Sequence, residues 1–240
     1  MNSLLIKIRK NNNYQIKMRT PCLVINFKAF KEGTGKNAIK IAKAAEKISN
    51  NLNVCIAVSP NFLDLKEIAK KLSIFVFAQH MDAVDEGAFT GHVTAYQIKE
   101  SGGKGVIINH SEKRMELDDI EYAIELAKKY KLTTIVCANN IDVAKAVAVL
   151  NPDFLALEPP ELIGGNISVS QTQPEVIIKL VDEIRKLNSK IKLLVGAGVK
   201  TKDDIKKAIE LGTDGVILAS GVVKAKNVSK AIEDLASGLI

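Results

Sequence analysis

From residue 20 onward, short apolar runs rich in β-branched residues alternate with longer segments whose apolar residues recur with helical spacing. The runs at 22–26, 54–58, 74–78, 105–109, 134–138, 154–157, 192–196 and 215–219 predict strands. Most are apolar almost throughout, the pattern of parallel strands covered on both faces. The intervening segments predict helices. Segment 36–49 sets Ile39, Ala42, Ala45 and Ile48 on one stripe with lysines opposite, and 117–129 does the same with Ile120, Ile124 and Ala127. Segments 173–187, 202–211 and 227–235 complete the later units, and those at 63–71, 94–100 and 141–150 are shorter. Thr201, followed by Asp203 and Asp204, marks a helix start. No linker or low-complexity stretch divides residues 20–240. Eight strand–helix units in unbroken succession predict an α/β fold, a single closed (β/α)8 barrel. An open doubly wound sheet is the competing arrangement. It asks for a Gly-x-Gly-x-x-Gly turn after the first strand, where Asn26-Phe27-Lys28 stands.

The formal net charge of +7 would suit a nucleic-acid partner if it were spread over the fold. It is concentrated instead. Lys7, Arg9, Lys10, Lys17 and Arg19 put +5 into residues 1–19, which hold no acid, so 7 − 5 leaves +2 for the rest. Residues 1–19 are expected to form a basic, loosely ordered extension, and 20–240 the catalytic domain. Met18 is an alternative start. The apolar run Leu4-Leu5-Ile6 is shorter than the 7–15 residues of a secretory core, and no run of 18 apolar residues occurs. Cys22, Cys55 and Cys137 each sit in an apolar strand-like run, and no two share metal-ligand spacing, so they read as buried reduced thiols. These features point to a cytoplasmic protein without a membrane partner, and they weigh against nucleic acid.

In a closed parallel barrel the chemistry sits at the C-terminal ends of the strands. The first strand delivers Asn26 and Lys28. The fourth delivers His110, in Asn109-His110-Ser111-Glu112. The sixth delivers Glu158, followed by Pro159-Pro160-Glu161-Leu162-Ile163-Gly164-Gly165-Asn166. The seventh and eighth run into Gly196-Ala197-Gly198 and Ala219-Ser220-Gly221. Glycine-containing turns that lead into helices at these last two strands suit a phosphate. The other groups suit proton transfer beside a carbonyl: a carboxylate removes a carbon-bound proton, while an imidazole and an ammonium stabilise the charge developing on oxygen. Each residue alone has a plainer reading. His110 would be a hydrogen-bonded structural histidine, Glu158 a solvated strand end, Lys28 a surface lysine, and the glycines turn formers. Their joint placement at one end of different strands favours the chemical reading. No nucleophilic Cys or Ser has an evident base partner. With three histidines and no carboxylate cluster, no metal and no cofactor are expected.

Taken together, Asn26-Phe27-Lys28, Asn109-His110-Ser111-Glu112, Glu158-Pro159 with Ile163-Gly164, Gly87-Ala88-Phe89-Thr90-Gly91 and Gly215-Val216-Ile217-Leu218-Ala219-Ser220-Gly221 resemble the triosephosphate isomerase family. The resemblance spans about residues 20–230, and the wording Ala156-Leu157-Glu158-Pro159-Pro160-Glu161-Leu162-Ile163-Gly164 is similar to that of its shorter archaeal branch. It implies a TIM barrel that interconverts D-glyceraldehyde 3-phosphate and dihydroxyacetone phosphate through an enediolate. It further implies Glu158 as the base, His110 as a neutral electrophile, Lys28 as the cation facing the substrate anion, and Asn26 beside it. Phe27, Ile163, Gly164, Gly198, Ala219 and Ser220 are implied as substrate- or phosphate-binding positions. Ser111 is implied to hydrogen-bond Glu158 in an open state, Glu112 to support Lys28, and Thr90 to steady Asn26 and His110 of a neighbouring subunit. Self-association as a homotetramer, or at least a homodimer, follows from the same resemblance, as does a closing loop at 159–166.

The chain also departs from the family. Gly165-Asn166 replaces the usual Thr-Gly pair, which predicts altered loop kinetics. His92 and Lys113 stand where bacterial and eukaryotic members carry an ion-paired Glu and Arg, so the subunit contact must be held differently. Two rival readings remain at this stage. One is another phosphate-binding barrel enzyme, such as a sugar-phosphate epimerase or an indole-glycerol-phosphate synthase. The other is a non-catalytic paralogue that binds a sugar phosphate.

Overall fold

The structure, a computed structural model, describes residues 18–158, 174–196 and 198–240. Among them, eight parallel strands close into a barrel in chain order. They are β1 (Cys22–Asn26), β2 (Cys55–Ser59), β3 (Phe75–Ala78), β4 (Gly105–Ile108), β5 (Thr133–Ala138), β6 (Phe154–Leu157), β7 (Lys192–Val195) and β8 (Gly215–Leu218). Pairing of β1 with both β2 and β8 closes the ring. Each end of each strand falls within one residue of the expected position.

The described helices pack outside the barrel. They are α1 (Lys36–Leu52), α2 (Phe62–Lys71), α3 (Ala95–Glu100), α4 (Leu117–Lys129), α5 (Ile141–Ala148), α6 (Pro174–Leu187), α7 (Lys202–Glu210), α8 (Ser220–Val223) and α9 (Val228–Ser237). Side-chain caps explain where many begin. Asn61, Asn140 and Asn227 each accept from a first-turn N–H, and Thr94 with Gln97 and Thr201 with Asp204 form reciprocal capping boxes. The single turn α8 is absent from the sequence-level expectation, because four residues are too short to display a helical period. None of the described helices is long and apolar enough to cross a membrane.

Period-two alternation separates two cores. Cys22, Val24, Ala57, Phe75, Phe77, Ile107, Ile135, Cys137, Phe154, Ala156, Leu194 and Ile217 form one buried cluster, which fills the barrel. Their neighbours Leu23, Ile25, Val58, Val106, Ile108, Leu155, Leu157, Val195 and Val216 belong to a second cluster together with helix residues such as Ile41, Ile68, Ile124 and Ile205. Met18 is buried and joins the inner cluster. Packing therefore starts before residue 20, earlier than the boundary expected from charge. The rest of the basic extension lies outside the described residues.

Candidate active site

Extending the same alternation past the apolar filling reaches the C-terminal mouth of the barrel. Residue 26 follows 24, 59 follows 57, 79 follows 77, 158 follows 156, and 196 follows 194, so the inward-facing layer changes from apolar to Asn26, Ser59, Gln79, Glu158 and Gly196. A cleft of about 240 Å³ opens there, smaller than the ~300–1,000 Å³ of sites for drug-sized ligands. Asn26, Lys28, His110, Glu158, Gly198, Ala219 and Ser220 all line it, together with Phe30, Lys200 and Lys224. These residues come from the ends of β1, β4, β6, β7 and β8.

Lys28 sits in left-handed backbone, with a φ of 50°, a conformation that is costly for a long side chain. Two side chains hold it. Its N–H donates to Asn26 Oδ1 at 2.9 Å, and its carbonyl accepts from Gln79 Nε2 at 3.0 Å. Gln79 Nε2 also donates to the carbonyl of Ser59 at 3.0 Å, which ties the turn to β2 and β3. The Lys28 ammonium then reaches Glu112 Oε1 at 2.7 Å.

His110 is turned inward by Asn109, another left-handed residue, with a φ of 57°. Asn109 donates from Nδ2 to the Cys137 carbonyl at 3.0 Å and accepts the Met115 N–H at 3.0 Å. The backbone N–H of Glu112 donates to His110 Nδ1 at 3.1 Å. Since Nδ1 accepts, the ring proton sits on Nε2 and the imidazole is neutral. That Nε2 lies 3.5 Å from Glu158 Oε2, a buried carboxylate oxygen without a hydrogen-bond partner among the described residues. Such an orphaned oxygen calls for an explanation, because burying it costs free energy that its fold does not return. Cys137 lies beside Glu158. Burial first, then the nearby carboxylate, pushes its thiol well above the usual range, so it stays protonated and is no nucleophile. On the opposite side Gly196 lies so close that a Cβ built there would stand 2.7 Å from Glu158 Oε1.

A buried carboxylate 3.5 Å from an imidazole, an ammonium lining the same cleft, and glycine-bearing turns are groups suited to proton transfer on a small anion. The model of the family described as triosephosphate isomerase matches residues 21–235. The chain belongs to the triosephosphate isomerase family. Triosephosphate isomerase of Methanocaldococcus jannaschii is 50% identical over 213 residues, covering 89% of this chain and 97% of the relative. That of Methanobacterium bryantii is 47% identical over 91% of this chain and 96% of its own length. The fold is similar to the crystal structure of triosephosphate isomerase from Bartonella henselae, with a TM-score of 0.73 at 19% identity, covering 90% of this chain and 98% of that one.

Against the site expected for a triosephosphate isomerase, most named residues converge and a few do not. Glu158, His110, Lys28 and Asn26 share the cleft with Gly198, Ala219 and Ser220. Gly198 adopts a φ of 74°, which glycine reaches without strain. Glu112 Oε1 lies 2.7 Å from Lys28 Nζ. Phe27 stands apart from them. Its side chain is fully buried in the outer core and does not line the cleft, because it follows outward-facing Ile25 by two residues. The expected Ser111–Glu158 hydrogen bond is absent: Ser111 Oγ and Glu158 Oε2 are each buried without a partner, with His110 Nε2 the polar atom beside the carboxylate. Thr90 is exposed, far along the loop after β3, next to exposed Phe89 and His92. That loop is closed at its neck, where Asp82 accepts the Val93 N–H at 2.6 Å and its own N–H donates to the Val93 carbonyl at 2.9 Å. Ile163, Gly164 and the whole 159–166 loop lie outside the described residues.

Gln79 is a site-shaping residue that sequence reasoning did not name, while Asn109 and Gly196 were read only as parts of motifs, without the contacts they make here. Gln79 offers a direct test. Gln79→Leu keeps the volume but removes both donated hydrogen bonds, so Lys28 relaxes out of its left-handed turn. We expect kcat/KM to fall roughly tenfold with little change in melting temperature, read by steady-state kinetics and thermal unfolding.

Proposed function

We propose that this chain interconverts D-glyceraldehyde 3-phosphate and dihydroxyacetone phosphate through an enediolate, in the cytoplasm, as a self-associating enzyme. The observation that carries the reading is the unpartnered, buried Glu158 Oε2 facing the Nε2 side of a neutral His110. Glu158 takes a proton from C1 of dihydroxyacetone phosphate. His110 donates from Nε2 to the C2 oxygen as negative charge builds on it, and Lys28 adds an ammonium at the same edge. Returning the carbon proton to C2, while the O1 hydroxyl proton leaves and the C2 oxygen keeps one, yields glyceraldehyde 3-phosphate. No oxidant or net proton is required. The imidazole suits this task because its Nδ1 accepts a backbone N–H, which leaves Nε2 to carry the proton it donates.

The phosphate is held by the turns at Gly198 and at Ala219-Ser220, through backbone N–H groups that α8 leaves unpaired in its first turn. The family resemblance assigns Ile163 and Gly164, which lie outside the described residues, to the same phosphate. Self-association to at least a homodimer, and to a homotetramer on the archaeal pattern, runs through the loop carrying Phe89 and Thr90. In support, residues 86–92 are exposed while the loop's neck is fixed by Asp82. A non-catalytic paralogue is disfavoured by an intact base, imidazole and ammonium in one cleft. The reading is tested by a coupled assay on purified protein together with light scattering. Turnover of both esters by a species of at least two subunits is expected; a monomer without turnover rules out the proposal.

A further inference from the structure

The cleft holds a cation that the mechanism above leaves unused. Lys224 follows α8, and its ammonium lies 4.1 Å from the centroid of the Phe30 ring. Both residues line the cleft beside Ser220 and Gly221. An ammonium over a ring face is attracted by the ring's quadrupole, and docking it there removes much of the freedom that a lysine otherwise loses on binding an anion. Phe30 itself is anchored. Its carbonyl accepts from Gly33 N at 2.9 Å and from Thr34 Oγ1 at 3.0 Å, and its side chain packs on the outer core.

The charge balance gives this arrangement a purpose. Among the described residues lining the cleft, the ammonium groups of Lys28 and Lys224 share it with one carboxylate, Glu158, and His110 accepts a backbone N–H at Nδ1. Lys28 is already paired with Glu112. No Asp or Glu among the described residues forms an ion pair with Lys224. An ammonium held on an aromatic face, at the side of the cleft where Ser220 begins its turn, is prearranged for a dianionic group. We propose that Lys224 is a second side-chain cation, beside Lys28, that recognises the substrate's phosphate dianion, with Phe30 as its positioning residue. The inference deepens the isomerase reading and rests on it for the identity of the substrate. It adds a side-chain charge, on the α8 side of the cleft, to the backbone N–H groups there and to Lys28, and it predicts steering of the anion into the cleft.

The test uses the full chain and the variants Lys224→Met, Lys224→Arg and Phe30→Leu, with thermal unfolding to confirm that each is folded. Binding of inorganic phosphate is measured by calorimetry. Turnover is measured for glyceraldehyde 3-phosphate and for unphosphorylated glyceraldehyde over a range of ionic strength. Lys224→Met is expected to weaken phosphate binding and to lower kcat/KM for the phosphate ester, each roughly three- to tenfold. The loss appears mainly in KM, with a shallower salt dependence. The ratio of ester to glyceraldehyde turnover falls by a similar factor. Lys224→Arg restores most of the loss, and Phe30→Leu gives a smaller loss in the same direction. Unchanged phosphate affinity in Lys224→Met overturns the proposal, as does an equal loss on glyceraldehyde, which marks a structural role. Phosphate binding is read without turnover. An inactive parent chain that still binds phosphate through Lys224 therefore upholds the anion site while removing the isomerase reading, and an active chain whose phosphate affinity ignores Lys224 does the reverse.

Discussion

Glu158→Gln lowers kcat/KM by about 10³-fold while the protein remains folded, with the loss expressed in kcat rather than KM. The magnitude follows from the role: a positioned general base contributes roughly 10²–10⁴ to rate, and a carboxamide cannot accept a carbon-bound proton. The substitution preserves side-chain volume, so contacts with Cys137 and Gly196 persist. Stability is expected to hold or rise. The native carboxylate is buried with one oxygen unpartnered, a cost that a neutral amide reduces. Stability and activity thus move in different directions, which separates loss of a base from loss of structure. Steady-state kinetics with thermal unfolding on the same preparation read both. Undiminished turnover in the variant removes Glu158 from the mechanism; a collapsed melting transition assigns it to the fold.

The barrel was legible because its physics is local and repetitive. A parallel strand covered on both faces must be apolar throughout, so runs such as those at β5 and β6 stand out from their flanks. The four residues of highest chemical content were also legible, since Asn26, Lys28, His110 and Glu158 each follow a strand at the one rim where such barrels build sites. What shapes the rim was harder to read. Gln79 looks like the first polar residue of a loop, and only its period-two relation to Phe75 and Phe77 puts it on the inner face. Asn109 carries a weak signal, because asparagine tolerates left-handed backbone, yet nothing local says that its side chain will span from Cys137 to Met115. Phe27 was named with its motif neighbours, and the alternation that makes residue 26 face inward turns the side chain of residue 27 outward into the core. Met18 was placed in the extension by charge bookkeeping, which does not register that one thioether side chain packs into the inner core of the barrel. The Ser111–Glu158 contact depended on the orientation of two side chains, and spacing along the chain carries no information about it.

Gly196→Ala gives the second large effect, about a 10²-fold loss in kcat/KM from one methyl group that touches no substrate. A Cβ at this position would lie 2.7 Å from Glu158 Oε1, 2.8 Å from its Cγ and 3.1 Å from its Cδ. Ordinary contacts of this kind are several tenths of an ångström longer, so something must move. The backbone is the stiff partner, because the Gly196 N–H is held by the Leu157 carbonyl at 3.0 Å. Gly196 is also absent from the positive-φ glycines, so alanine carries little backbone strain there. The side chain of Glu158 yields instead, which costs little stability but displaces the carboxylate from the reacting carbon. A misplacement on the order of 1 Å in such a site costs roughly 10²-fold. Glu158→Asp withdraws the carboxyl group from the same crowded point at its own cost in reach. The double variant Gly196→Ala/Glu158→Asp is therefore expected to lose less than the product of the two single losses, a coupling that a kinetic cycle measures directly. Full activity in Gly196→Ala contradicts a working position for Glu158 against β7. Strict multiplicativity in the cycle, or a large drop in melting temperature for the single variant, transfers the glycine's role from the carboxylate to the backbone.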